Sequence, residues 1–350
     1  MFNWLTPGKS REIGVLRVDS IPPRAMVDTG DRALDRAPGA LKSLLALFAV
    51  QDAVLIVYLV MVSALLLRTG SGPAQVIHAR HSFVGVMAMV IGCLFARGVT
   101  VVPPAIRLAA YRILVVGMVL VNYLSLRDVL PIIRGDAVDV ELLRIDLLLF
   151  GVEPALWLER FNTRPVIEWF SFFYFSYFWL CFAYMVVGMW LLRPGRRTTE
   201  FALGTALVYC VGQLGYMAVP GYGPVVALRD QFQAPLDGGF FWGCVNHLVN
   251  AGGAMKDIFP SLHTAAPVWF TLFAWRAARE DRRFRWPAIV TGFFALNIII
   301  STMLLRWHYA IDVVAGLTLA IGAAALAPRL VRWEESLRRD TGARSAWSFA

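Results

Sequence analysis

Two short segments, far apart in the chain, carry side chains that suit phosphoryl transfer. They are Phe-Pro-Ser-Leu-His at 259–263 and Arg-Trp-His-Tyr-Ala-Ile-Asp at 306–312. Each places a histidine beside a long apolar segment, and the second adds a carboxylate four residues later, so we expect His308 and Asp312 to share one helix face. A histidine oriented by a carboxylate, with a second histidine nearby, suits transfer through a covalent intermediate. In a membrane, such chemistry points to lipid phosphates.

The order of events can be inferred from the same residues. Asp312 would hold one nitrogen of the His308 ring and leave the other as the attacking lone pair. An aspartate deep in an apolar run costs about 2.5–3.5 kcal/mol on insertion scales, which favours a functional pair over a structural one. Pro260 favours a helix start, so we expect His263 in the first turn of a helix. There it could protonate a leaving oxygen and then deprotonate the acceptor.

A phosphate also needs donors and cations, and four residues are candidates for binding it. Arg306 lies close before His308, and a guanidinium suits bidentate phosphate contact. Lys256 would act as a point charge, unless it is simply a solvated loop residue. Ser261 in the first segment and Tyr222 in the preceding loop are the other two candidates.

The composition assigns these segments to a membrane protein. Hydrophobic residues make up 58% of the chain and charged residues 16%, which predicts an all-α, polytopic bundle of membrane-spanning helices. About eight apolar stretches approach spanning length. They lie at roughly 42–67, 82–102, 105–127, 166–192, 200–220, 260–278, 286–305 and 307–328.

Basic residues predict how the bundle is oriented. The connectors at 193–197 and 276–285 are short and rich in arginine, so the positive-inside rule puts them in the cytoplasm. Both termini are then cytoplasmic, and His263 and His308 are extracytoplasmic. The net charge of +9 follows from this anchoring, and nothing suggests nucleic acid as a partner. The bilayer is the expected environment, and arginine-rich, alanine-rich composition favours a bacterial inner membrane.

The predicted organisation is one membrane domain with two tails. An amphipathic stretch in the first outward loop is interrupted by Gly151 and Pro154 and predicts an interfacial helix. The second outward loop is rich in glycine and proline, should turn often, and leads directly into His263. The parts are a basic cytoplasmic tail at 1–41, two N-terminal spans at 42–104, a six-helix catalytic core at 105–330 with outward loops 131–165 and 221–259, and a cytoplasmic tail at 331–350.

The two segments together resemble a known family. Phe-Pro-Ser-Leu-His at 259–263 with His-Tyr-x-x-Asp-Val-x-Ala-Gly at 308–316 is similar to the type-2 phosphatidic acid phosphatase superfamily of lipid phosphatases and phosphotransferases. Leu262 and Ser-Thr-Met at 301–303 are most similar to the inositol phosphorylceramide synthase branch. Asp-x-x-x-Phe-Gly-x-x-Pro-x-x-Trp-Leu at 146–158 is similar to bacterial members of that branch.

This resemblance covers roughly residues 140–320 and implies specific roles. His308 would be the nucleophile that becomes phosphorylated, Asp312 would orient it, and His263 would be general acid and then general base. No metal and no other cofactor is implied. The family's six-helix core would correspond to the third to eighth predicted spans.

Three departures from the phosphatase pattern bear on the activity. Leu262 replaces a glycine, Thr302 replaces the arginine of a Ser-Arg pair, and Tyr-Gly-Pro at 222–224 stands where a lysine and a later Arg-Pro are expected. Fewer cations favour a phosphodiester donor, with Arg306 in place of the lost arginine. We therefore predict transfer of a phosphoryl-alcohol head group, such as phosphoinositol, from a phospholipid to a lipid alcohol. The alternatives are a lipid phosphate phosphatase with water as acceptor, and a non-enzymatic transporter or scaffold.

Overall fold

The computed structural model describes residues 39–252 and 255–347, and every regular element in those residues is helical, which confirms the predicted all-α fold. Most of the predicted tail at 1–41 lies outside the described residues. The helices are α1 (Gly39–Leu47), α2 (Val50–Thr69), α3 (Pro73–Gly98), α4 (Pro104–Ile133), α5 (Asp139–Phe150), α6 (Pro154–Leu158), α7 (Arg164–Cys181), α8 (Met189–Leu191), α9 (Arg196–Ala218), α10 (Pro224–Ala227), α11 (Phe240–Gly252), α12 (Leu262–Glu280), α13 (Arg285–Leu304) and α14 (Ala310–Thr341).

Seven stretches in the described part of the chain are long and apolar enough to cross a membrane, so this is a multi-pass integral membrane protein. The sixth predicted span, α12, is not among the seven. At 19 residues it measures about 28 Å, close to the thickness of a bilayer core. It packs between α9, α13 and α14, and large residues such as Trp269 and Phe270 are fully buried. Because α12 faces protein rather than lipid, its composition is less apolar than that of the outer helices.

Several predicted boundaries were wrong. The last helix was expected to end near residue 328, with a tail from 331, but α14 continues to Thr341. The chain beyond it packs back onto the bundle, where the Trp347 ring lies 5.0 Å from that of Tyr111. The first predicted span is two helices, because α1 ends before Val50 begins α2.

The two outward loops contain more helix than their sequences suggested. In 131–165, α5 ends at Gly151, whose φ of 72° is left-handed, and Pro154 begins α6, as the predicted interruption requires. In 221–259 the glycines and prolines obscured α11, a helix of 13 residues. Val245 of α11 is fully buried against α7, so this loop is anchored to the bundle rather than free.

The basic connectors and the histidines lie at opposite ends of the same helices. Arg197 donates to Glu280 at 2.9 Å, Arg276 lies 3.5 Å from Glu200, and Arg196 pairs with Glu335. These contacts bring together the connector before α9, the end of α12 and the second half of α14. The histidines lie at the start of α12 and just before α14, so the two groups are separated by the length of these helices. Which end faces the cytoplasm stays a prediction.

Glycines allow α9 and α14 to approach the segment that carries His263. A β-carbon at Gly316 would lie 2.5 Å from the Ser261 carbonyl oxygen, and one at Gly212 would lie 2.5 Å from Cδ2 of Leu262. The Ser261 amide also donates to the Asp312 carbonyl at 3.0 Å. Leu262, where the family's phosphatases have glycine, therefore occupies space that Gly212 leaves open.

We expect Gly316→Ala to destabilise the protein and lower its activity. The added methyl group would meet a backbone oxygen, and overpacking of this kind costs about 1–3 kcal/mol. Gly322→Ala is the matched control on the same helix, because nothing lies within 4 Å of its β-carbon position. Thermal unfolding of both variants in the same detergent checks this. Equal midpoints for the two variants would show that the close contact is unimportant.

Candidate active site

The two predicted histidines lie side by side. The centroids of the His263 and His308 rings are 5.9 Å apart. His263 is in the first turn of α12, as predicted, and the Ser261 side chain caps that helix by accepting from the Thr264 amide at 3.3 Å. His308 lies in the connection between α13 and α14. One phosphoryl group could contact both rings at this separation.

His308 and Asp312 are paired, but not on one face of a helix as expected. α14 begins at Ala310, so His308 precedes the helix and Asp312 lies in its first turn. Nδ1 of His308 is 3.3 Å from Oδ2 of Asp312, which also accepts the Tyr309 amide at 3.0 Å. The carboxylate therefore reaches back as a helix cap and orients the ring from there.

The environment of His308 favours the neutral imidazole. Its side chain is buried, and burial lowers the pKa of His308 to about 4, an effect that the nearby Asp257 carboxylate partly opposes. The ring is therefore unprotonated at neutral pH, as a nucleophile must be.

His263 is held between aromatic rings. Its centroid is 4.5 Å from that of Tyr174 and 4.2 Å from that of Tyr177. Nε2 of His263 is buried and has no hydrogen-bond partner among the described residues. Such an atom normally has a partner, so Nε2 is free to exchange a proton with a substrate.

The connection that carries His308 is fixed at its start by Thr302. The Thr302 carbonyl accepts the amides of Trp307 at 2.9 Å and His308 at 3.1 Å. The Thr302 hydroxyl donates to the Ile299 carbonyl at 2.7 Å, and the residue is fully buried. Thr302 stands where the family pattern has an arginine, and its hydrogen bonds go to backbone groups.

The same connection is fixed at its end by a carboxylate from α5. Asp146 accepts the amides of Ala310 at 2.6 Å and Ile311 at 2.8 Å. These are the first amides of α14, which have no partner within the helix. Asp146 is predictable from the sequence only through the family resemblance, because an acid in an amphipathic outward stretch otherwise suggests a solvated face.

A second carboxylate of α5 ties the following loop to the site. Asp139 accepts the amides of Tyr222 at 2.9 Å and Gly223 at 2.8 Å, and the Tyr309 hydroxyl at 3.2 Å. Gly223 has a φ of 81°, and a β-carbon at this position would clash with the Trp307 carbonyl oxygen. The Tyr-Gly-Pro turn thus packs directly on the segment before α14, and nothing in the sequence indicated a role for Asp139.

Glu153 adds a buried carboxyl group behind the site. Burial raises the pKa of Glu153 to about 8, and the neighbouring Asp146 and Asp312 carboxylates add to the shift. One of its oxygens caps the Ala155 amide at 3.1 Å. At neutral pH, Glu153 is therefore protonated and places no further negative charge beside Asp146 and Asp312.

The histidines open into a cavity of about 340 Å³. Its walls are mainly apolar, and among the described residues that line it there is no lysine and no arginine. Asp257, which sequence analysis missed because a lone acid in a loop resembles a solvated charge, contributes a carboxylate. The hydroxyl-bearing residues of the wall are Tyr123, Tyr174, Tyr177, Tyr209 and Tyr222.

Of the four predicted phosphate-binding residues, only Tyr222 lines this cavity. Arg306 is 3.1 Å from Glu159, donates to the Ala234 carbonyl at 2.9 Å and stacks on the Phe232 ring.

The other two predicted residues are engaged elsewhere as well. Lys256 is buried and donates to the carbonyls of Gly135 at 2.5 Å and Asp136 at 3.3 Å. The Ser261 hydroxyl is occupied as a helix cap. Arg306, Lys256 and Ser261 do not line the cavity, and phosphate binding by them stays a prediction. Within the described part of the chain, no three His, Cys, Asp or Glu side chains are grouped as metal ligands would be.

Comparison with known families agrees with this geometry. Residues 140–326, a little more than half of the chain, match the family model of the PAP2 superfamily. The chain belongs to this superfamily. The match runs from α5 into α14 and includes both histidine segments and Asp146. No curated protein and no solved structure matches the chain. Phosphatase or phosphotransferase chemistry on lipids is therefore supported, whereas the inositol phosphorylceramide synthase branch stays a prediction.

In this PAP2 protein we expect Asp146→Ala to act through the position of His308. Two buried amides would lose their acceptor, and each such loss costs about 1–3 kcal/mol. If His308 is the nucleophile, as predicted, a shift of about 1 Å in its position can lower the rate about 100-fold. We therefore expect kcat to fall with little change in KM, and Asp146→Asn, which keeps one acceptor oxygen, to restore part of the rate.

Glu141→Ala is the control for this experiment, because Glu141 is exposed on the same helix. Steady-state kinetics of the three variants, with thermal midpoints to confirm folding, provide the measurement. A fall in kcat that is equal for Ala and Asn, or a loss expressed only in KM, would contradict the positioning role.

Proposed function

We propose that this protein is an integral-membrane phosphotransferase that moves a phosphoryl-alcohol head group, such as phosphoinositol, from a phospholipid to a lipid alcohol. The lining of the cavity supports this proposal, because it includes two histidines and several tyrosines, and none of the described lining residues is a lysine or an arginine. A phosphate monoester at neutral pH approaches two negative charges, whose burial without cations is costly. A phosphodiester has one negative charge, which neutral hydrogen-bond donors can stabilise.

The proposed reaction has two steps at the histidine pair. Nε2 of His308 attacks phosphorus, a P–N bond forms and the P–O bond to the donor's lipid breaks. His263 enters this step as the imidazolium and gives its Nε2 proton to the leaving oxygen, which leaves it neutral. The acceptor hydroxyl then gives its proton to His263 and attacks phosphorus, so that the P–N bond breaks. Both histidines return to their starting states, and Asp312 keeps the His308 ring oriented throughout.

Neutral and acidic groups of the cavity fit the rest of such a substrate. Tyrosine hydroxyls can donate to phosphoryl oxygens where the family pattern would have arginine. Asp257 can accept hydrogen bonds from hydroxyls of a polyol head group or of the acceptor, and its negative charge disfavours a dianion. We place the reaction on the extracytoplasmic side of a bacterial inner membrane, on the positive-inside argument.

Product analysis tests the proposal against hydrolysis. Purified protein is incubated with head-group-labelled phosphatidylinositol, with and without a lipid alcohol, and separately with phosphatidic acid. We expect a new labelled phospholipid only when the alcohol is present, and no product with His308→Ala. Release of free phosphate from phosphatidic acid at a comparable rate would instead identify a phosphatase that uses water as acceptor.

The pH dependence tests the nucleophile. Because the pKa of His308 is lowered to about 4, kcat/KM should decrease on the acidic side of its pH profile with a midpoint near pH 4. An unperturbed histidine would place that midpoint near about 6.5. Asp257→Asn should move the midpoint to lower pH, since the Asp257 carboxylate raises this pKa. The same donor should label the enzyme with an acid-labile phosphate that His308→Ala lacks. A midpoint near about 6.5, or labelling of the alanine variant, would refute the assignment.

A further inference from the structure

A second cavity, of about 830 Å³, lies at the opposite end of the bundle from the histidines. It shares no lining residue with the histidine cavity. We name it the basic groove, and its defining residues are Leu180, Ala183, Arg193, Arg197, Arg283 and Val290. Its volume is within the range of sites that bind small molecules.

The wall of the basic groove is formed by an irregular stretch of helix. α7 continues into a π-helical segment, Phe182–Gly188, before α8. Such segments occur frequently at functional sites. Tyr184 in this segment turns towards α13, where its hydroxyl lies 2.8 Å from that of Thr291. Ala183 and Gly188 leave little side chain on the wall, so an extended chain can lie against it.

The mouth of the basic groove is positively charged. The Arg193 side chain is exposed, and its guanidinium has no hydrogen bond or ion pair to any residue that the structure describes, although the backbone carbonyl accepts from the Thr198 hydroxyl. The Arg283 side chain is 90% exposed and lies 3.3 Å from Asp281, the single carboxylate of the lining. Arg197 is paired with Glu280 at 2.9 Å and with Asp281 at 3.7 Å. The Arg193 guanidinium therefore remains available to an anion, and the largely exposed Arg283 can add a contact beside its pair with Asp281.

Neighbouring residues indicate the depth of the groove in the membrane. Its walls belong to Arg164–Leu191 and Arg282–Leu304, both candidate membrane spans. Trp190 and Trp286 are exposed next to the mouth, and tryptophan is enriched at membrane interfaces. The apolar walls thus lie at the depth of acyl chains, and the arginines lie at the depth of head groups.

We infer that the basic groove binds an anionic phospholipid of the leaflet at this end, distinct from the lipid that reacts at the histidines. One acyl chain would lie along Ala183 and Val290, and the phosphate would contact Arg193 and Arg283. An acidic peptide would not fit as well, because the walls lie within membrane spans and offer a backbone few polar partners.

Photo-crosslinking of the full-length protein in phosphatidylcholine nanodiscs tests this inference. The probes are phosphatidylglycerol and phosphatidylcholine with the same diazirine-bearing acyl chain, each at trace amount, and labelled peptides are mapped by mass spectrometry. We expect phosphatidylglycerol to label 180–193 and 284–291 preferentially. Arg193→Ala with Arg283→Ala should lower that labelling by about fivefold for each arginine removed.

The control is Arg329→Ala with Arg332→Ala, which removes the same charge from exposed positions outside the groove. It should leave the labelling unchanged. Ala183→Trp should fill the wall and reduce labelling without removing any charge. Equal labelling by the two probes, or an equal loss in both double variants, would overturn the inference. Because the assay needs no turnover, it can be done in His308→Ala and is independent of the proposed function.

Discussion

The arrangement of the site depends on how the start of α14 is held. The amides of Tyr309, Ala310 and Ile311 have no acceptor within the helix, and Asp312 and Asp146 supply one for each. A buried helix end without such partners would be strongly disfavoured. His308 precedes this end directly, so the carboxylates that complete the helix also fix the proposed nucleophile. The bond from the Ser261 amide to the Asp312 carbonyl ties the start of α12, and with it His263, to the same turn.

This arrangement concentrates acids, rather than cations, around the reaction centre. Asp146 and Asp312 are tolerated there because a helix N-terminus attracts negative charge. Glu153 is tolerated because burial keeps it protonated at neutral pH. In front of the histidines, the cavity presents tyrosines and Asp257. The site thus differs in charge from one built to bind a dianion, and this difference is the reason for proposing a phosphodiester donor.

The sequence was informative where chemistry depends on spacing and uninformative where it depends on side-chain direction. The separation of His308 and Asp312 was enough to predict their pairing, although the helix starts two residues later than a shared helix face requires. Arg306 and Lys256 are close to the histidines in sequence, but their side chains are directed elsewhere. Arg306 contacts Glu159, and Lys256 donates to backbone carbonyls. Asp139 acts across more than eighty residues of sequence, a contact that no local pattern could indicate.

The two ends of the bundle differ in where their cationic side chains lie. Arginines lie at the end that joins α8 to α9 and α12 to α13. Most of them pair with acids there, whereas the Arg193 guanidinium has no side-chain partner among the described residues. At the other end the nearest cations are engaged by protein groups, and the cavity is left without them. A cation in that cavity would bind any phosphate at the membrane surface, including monoesters and inorganic phosphate. A cavity of neutral donors instead binds a phosphate chiefly when lipid chains and a head group add their own contacts, which is the selectivity that a lipid phosphotransferase requires.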